Sequence, residues 1–177
     1  MNNMVEQAKK CGFHKAALIE TRNIPFEPSF RKYCEENYCG KYGVNYSCPP
    51  TCGSTDFMEA KIRSLPHALV LQSRWEIDYH DGAAIKHSKG AHNHLTRQLI
   101  AELQPETRGF MVGASGCSLC DPCAMVEGKP CRFPDKAASC TSAYCIYVKK
   151  LAEKTGLDYD SGPGVINFFS LYIYEEA

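Results

Sequence analysis

Four short apolar runs punctuate the chain. Ala16-Ala17-Leu18-Ile19 follows Gly12, Ala68-Leu69-Val70-Leu71 follows Pro66, and Phe110-Met111-Val112 lies between Gly109 and Gly113. The fourth, Val165 to Tyr174, is rich in β-branched and aromatic residues. Runs of this length bounded by Gly or Pro predict short buried strands, the last of them the longest. Between them the apolar spacing changes. Asp56 to Leu65 predicts a helix with Asp56, its first acidic residue, as cap and Pro66 as its stop. Ala83 to Leu103 is the longest helical candidate, because Ile85, Ala91, Leu95, Leu99, Ile100 and Leu103 approximate one face and Pro105 ends it. A final helix is expected from Ser142 to Lys154, with Ile146, Val148 and Leu151 inward and its end near Gly156.

The cysteines fall in two groups, within 34–52 and 117–131, separated by a long cysteine-free middle. No other internal repeat and no low-complexity linker is evident, so residues 1–177 read as a single domain. The order of elements predicts an α/β or α+β fold: a small central sheet of about four strands with helices, carrying two cysteine-rich metal-binding loops.

Composition narrows the function classes. At 177 residues with 44% hydrophobic content, the chain can bury a substantial core. Twenty basic residues balance twenty acidic ones, so no overall basic field collects phosphates, and nucleic acid is not expected as a partner. The segment Met1 to Cys11 is polar, and the apolar runs fall well short of the ~20 residues that span a bilayer. A soluble, cytoplasmic protein without a membrane partner is expected.

Eleven cysteines in 177 residues is the outlying feature. Secreted disulfide scaffolds are usually smaller, carry a secretion signal and pair an even number of thiols. In a reducing compartment, clustered thiols read instead as thiolate ligands.

The more specific group is Cys117-Ser118-Leu119-Cys120-Asp121-Pro122-Cys123, a C-x2-C-x2-C run followed by Cys131 after seven residues. It resembles the loops of bacterial ferredoxins, in which successive turns deliver thiolates to different irons of a cubane while backbone N–H groups face the sulfides. Four thiolates around one zinc at ~2.3 Å must crowd together, usually from two separated C-x2-C knuckles, so three closely spaced cysteines suit a larger object. The fourth position departs from the ferredoxin pattern, since Cys131 lies farther along and precedes Arg132 rather than Pro. Asp121, Pro122, Gly128, Lys129 and Pro130 describe an exposed loop, which argues against mere core thiols.

The other group, Cys34-x4-Cys39-x8-Cys48-Pro49-Pro50-x-Cys52, sits in a loop with Gly40, Gly43 and Asn45. Its two prolines stiffen the backbone beside Cys48 and remove two N–H donors. A second cluster, a zinc held by four thiolates, or one site shared with the later group would each satisfy this spacing.

Tyr42-Gly43-x-Asn45-x-x-Cys48-Pro49-Pro50, Cys117-x-Leu119-Cys120-x-x-Cys123 and Lys129-Pro130-Cys131-Arg132-Phe133-Pro134 together resemble the family of predicted metal-binding proteins called domain of unknown function 2284. The resemblance extends through the helical stretch before Gly109, Ala143-Tyr144 and Phe168-Phe169-Ser170-Leu171. It implies a small cysteine-rich metal or iron-sulfur binder of the kind found in anaerobes, with no assigned reaction. It also implies that the eight cysteines above occupy the motif positions, while Cys11, Cys140 and Cys145 are extra. These three read as free thiols, although Cys140 or Cys145 could replace Cys131 in a site.

Other chemistry finds little support. His80, His87, His92 and His94 match no H-E-x-x-H spacing and read as solvated helix polarity. Gly109, Gly113 and Gly116 form no phosphate-binding fingerprint, and no G-x-S-x-G motif occurs. The working expectation is one or two [4Fe-4S] clusters, with Cys117, Cys120, Cys123 and Cys131 holding the first and Cys34, Cys39, Cys48 and Cys52 a second metal. Such a protein would pass electrons to a redox partner protein. The alternatives are a zinc-stabilised interaction module and an iron-sulfur enzyme with an open iron site, the latter if only three cysteines of the later group are ligands.

Overall fold

The computed structural model describes residues 2–177, so Met1 lies outside the described residues. All four apolar runs are strands: β1 (Lys15–Glu20), β2 (His67–Glu76), β3 (Thr107–Val112) and β4 (Val165–Glu176). They form one sheet in the order β1-β2-β4-β3 with every neighbouring pair antiparallel. This is the α+β arrangement. The last strand in sequence is internal, pairing along one edge with β2 from Val165 opposite Glu76 to Tyr174 opposite His67, and along the other with β3.

Alternate residues of a strand point to opposite faces, and here both faces are covered, which is why the runs are continuously apolar. Ala68 and Val70 of β2 with Leu171 and Ile173 of β4 enter one core. There they meet Met58 and Ile62 of α3 (Thr55–Arg63) and Leu151 and Ala152 of α5 (Val148–Thr155). Leu69, Leu71, Tyr172 and Tyr174 enter the other, against Ala8 of α1 (Asn2–Cys11) and Leu99, Ile100 and Leu103 of α4 (Gly82–Leu103). Each fully buried Leu, Ile or Val contributes about 1.5–3 kcal/mol of transfer free energy. β3 approaches β4 so closely that a Cβ on Gly109 would overlap the Ile173 carbonyl.

Several boundaries differ from the sequence expectation for identifiable reasons. The polar segment ending at Cys11 forms α1, because Val5 and Ala8 recur at helical spacing and suffice to dock it. Ser54, not Asp56, caps α3 by accepting a hydrogen bond from the Phe57 N–H at 3.2 Å. A short helix, α2 (Arg31–Glu35), carries Cys34. The last helix begins at Val148 and not at Ser142. The intervening residues serve other partners: Cys145 adopts a left-handed φ of 55°, its carbonyl accepts from the Glu27 N–H at 2.8 Å, and Ile146 bridges Phe26.

The histidine expectation fails at one position. His92 is fully buried, on the face of α4 that meets β2 and β4. Its hydrogen bonds have one consistent direction. Thr96 Oγ1 donates to the His92 carbonyl, so it accepts from Ser170; Ser170 therefore accepts from His92 Nε2–H at 2.8 Å. Trp75 Nε1 donates to Ser73 Oγ, which donates to His92 Nδ1 at 2.6 Å. Burial disfavours the imidazolium, so Nδ1 accepts and the ring is held as the neutral Nε2–H tautomer.

Burial pushes the His92 pKa down to about 3. In the unfolded chain the group titrates near 6.5, so between those values the unfolded state binds more protons and stability falls as pH is lowered. Urea unfolding of the wild type at pH 7 and pH 5 should show a loss of about 2 kcal/mol from this group, absent in His92→Gln. Equal losses in the two proteins would contradict the assignment.

Candidate metal centre

The earlier loop is built around Asn45. Its Oδ1 accepts from the Ser47 N–H at 3.0 Å and from Ser47 Oγ at 2.8 Å, and its carbonyl accepts from the Cys48 N–H at 3.0 Å. The Cys48 carbonyl in turn accepts from the Cys52 N–H at 3.0 Å. Asn37, in a left-handed conformation, accepts from the Tyr42 N–H at 3.0 Å and closes the turn that presents Cys39. Cys48 is buried, Cys34 and Cys52 are half-buried, and Cys39 is exposed.

The same residues grip the later loop. Asn45 Nδ2 and Lys41 Nζ both donate to the Cys117 carbonyl at 2.9 Å, and Ser47 Oγ accepts from the Cys117 N–H at 3.0 Å. At the far end, Tyr46 donates its hydroxyl to the Lys129 carbonyl at 2.8 Å. Approach is close enough that a Cβ on Gly116 would stand 2.8 Å from Cys48 Sγ. Cys117, Cys120, Cys123 and Cys131 are all half-buried, while Asp121, Pro122, Gly128, Lys129 and Pro130 are exposed as expected.

Scaffold residues hold the assembly from below. Asn93 of α4 accepts from the Ala114 N–H at 2.8 Å and donates to Ser115 Oγ at 3.1 Å, fixing the approach to Cys117. Arg31 donates to the carbonyls of Gly53 at 2.9 Å and Ala143 at 3.0 Å. A cavity of about 330 Å³ opens between the loops, lined by Cys52 from one and Cys131 from the other together with Tyr46, Lys61 and Tyr144.

Electrostatics couple a further cysteine to the earlier group. Burial pushes the Cys34 thiol up to about 11, Cys140 adds to the rise, and Arg31 opposes it. Burial raises Cys48 to about 12, again with Cys140 adding. Cys52 is raised by burial and lowered by Arg31. These groups are thiols at neutral pH unless a cation displaces their protons, so metal uptake releases protons. Cys140 lies outside both spacing patterns, yet its charge bears on Cys34, Cys48 and Cys52. Cys11 sits apart, with its sulfur 3.9 Å from the Leu95 carbonyl.

Among the described residues there is no disulfide, and no three His, Cys, Asp or Glu side chains already converge on one ion. The donor chemistry nonetheless fits an anionic thiolate-ligated group. Arg31 Nε and Arg97 Nε are buried without hydrogen-bond partners, and their charges act on Cys34 and Cys52 in one case and on Cys117 in the other. Buried N–H donors are rarely left unpaired.

Residues 17–173 match the family described as predicted metal-binding protein (DUF2284). The chain belongs to this family. The match covers both cysteine loops and all four strands except the first two residues of β1 and the last three of β4. No curated protein and no solved structure matches the chain. Asn45, within the matched residues, is one of the side chains that join the two loops.

Gly116→Ala should push Cys48 Sγ aside and weaken metal binding by about 10-fold or more, as loss of an outer contact commonly does. Competition against a chelator of known affinity measures this. An unchanged affinity would place Cys48 outside the metal site.

Proposed function

We propose that this DUF2284 protein is an iron-sulfur protein with an electron-transfer or redox accessory role. Cys117, Cys120, Cys123 and Cys131 hold a [4Fe-4S] cluster, and Cys34, Cys39, Cys48 and Cys52 form a second metal-binding group, a further cluster or zinc. The observation that carries this reading is the joining of the two cysteine loops through the Cys117 peptide by Lys41, Asn45 and Ser47. That arrangement commits three buried or half-buried polar side chains to aligning thiols, with no substrate fingerprint beside them.

A bound four-iron cluster supplies a one-electron couple whose potential follows net charge, hydrogen bonds to sulfur and burial. The chain's own residues supply those controls. Lys41, Arg31 and Arg97 offset the negative charge of thiolate ligands. The later loop is exposed from Val126 to Pro130, which puts thiols bound there near the surface. Tyr38, Val126 and Phe133 are exposed apolar side chains on the two cysteine-bearing segments and offer contact area to a protein partner.

Protein purified without oxygen should contain about four iron and four acid-labile sulfide per cluster, with a broad visible absorption that bleaches on reduction. Substituting Cys117 or Cys120 by Ser should remove at least one cluster's share. Stoichiometric zinc with neither iron nor sulfide would replace this reading with that of a zinc-stabilised interaction module. Retention of a cluster in Cys131→Ala would indicate an open iron and an enzymatic role.

A further inference from the structure

The cavity between the loops has a wall that the thiols do not form. Cys52 and Cys131 are the only cysteines lining it, and the opposite side is built from Lys61 of α3, Phe110 of β3 and, after the later loop, Ser139 and Tyr144. At about 330 Å³ it lies at the small end of the range of ligand-binding cavities. Neither Asp nor Glu lines it.

Tyr144 carries a hydroxyl that the fold does not use. The residue is only 1% exposed, and its hydroxyl has no hydrogen-bond partner among the described residues. The oxygen is nevertheless not sealed off, so what little of Tyr144 remains accessible is its polar end, at the cavity the residue lines. Buried phenols usually spend their O–H on a protein acceptor. Burial also raises the Tyr144 pKa, so the group keeps its proton and is a donor.

Lys61 is exposed and stands where the cavity meets solvent. Its Nζ has no ion pair among the described residues and lies 4.9 Å from the centroid of the Phe110 ring. A ring face offers an ammonium no lone pair, so its N–H donors stay free. Phe110 in turn stacks on Tyr144, with centroids 6.5 Å apart and planes at 22°. One aromatic ring therefore links a free cation to a free phenol. An anion with an apolar body matches that wall. Carboxylate oxygens accept and do not donate, as the Lys61 and Tyr144 donors require. Phosphate sites draw instead on Arg forks or nests of backbone N–H groups at glycines, and neither Arg nor Gly lines this cavity.

We propose that this cavity binds a small organic carboxylate: the Lys61 ammonium meets its charge, the Tyr144 hydroxyl donates to one of its oxygens, and its carbon body packs on Phe110. The site goes beyond the metal reading and does not require it. Cys52 and Cys131 nonetheless put the bound acid beside both cysteine groups.

Calorimetric titration of protein purified without oxygen tests this, with benzoate and butyrate as probes beside neutral benzamide and inorganic phosphate. At least one of the two acids should bind once per chain with a Kd of about 1 mM or below, roughly tenfold or more tighter than benzamide or phosphate. Tyr144→Phe removes only the unused hydroxyl and should weaken that acid about tenfold with Tm unchanged. Lys61→Gln should weaken it by at least as much, while Lys150→Gln, whose ammonium sits over the Tyr147 ring outside the cavity, should not. Absence of saturable binding by either acid, benzamide or phosphate binding as tightly, or wild-type affinity in Tyr144→Phe or Lys61→Gln would overturn the proposal. Should Tyr144→Phe fail to fold, the exposed Lys61→Gln decides. Metal and sulfide are measured on the same samples: metal-free protein that binds the acid refutes the metal reading alone, and loaded protein that ignores both acids refutes this proposal alone.

Discussion

The peptide group at Cys117 has both its donor and its acceptor satisfied by a loop some seventy residues earlier in the chain, and the arrangement of the thiols depends on that exchange. Ser47 accepts from its N–H, and Asn45 and Lys41 donate to its carbonyl. Water could satisfy the same groups, so the net contribution of each bond is only about 1 kcal/mol. Their effect is positional. Asn45 uses its other side-chain atom to fix Ser47, which makes the two loops one hydrogen-bonded unit whose thiols move together.

Sequence pattern located the secondary structure wherever burial alone decides it. The four strands and the long helix were legible because their apolar residues recur with the period of the element and end at Gly or Pro. What escaped were features decided by partners distant in sequence. Ser142 to Tyr147 has a helical composition, yet Glu27 and Pro25 claim its backbone groups and Cys145 takes a left-handed turn. His92 looked like surface polarity because its partners Ser73 and Ser170 lie on two strands far from α4 in sequence.

The candidate site was legible to the same extent. The spacing of the two cysteine groups announced two separate local arrangements, and Cys34 of the earlier one stands on α2. Their mutual contact had no signal in spacing; Asn45 and Gly116 carry it, one through a bifunctional amide and the other through the space left by a missing side chain. Arg31 and Arg97 complete the surroundings as cations acting on half-buried thiols, an arrangement that lowers the cost of a negative charge there.

The order of the sheet has a consequence for biogenesis. Among the described strands β3 pairs with β4 alone, and β4 also flanks β2, so the strand that follows the other three in the chain closes the sheet. Every cysteine precedes β4 in the chain and emerges before the scaffold beneath it can form. Thiols therefore spend the interval of translation solvent-accessible, and pairings between β2 and β4 that span about a hundred residues make that interval longer. A completed sheet beneath both cysteine groups therefore forms only after all eleven cysteines have been made.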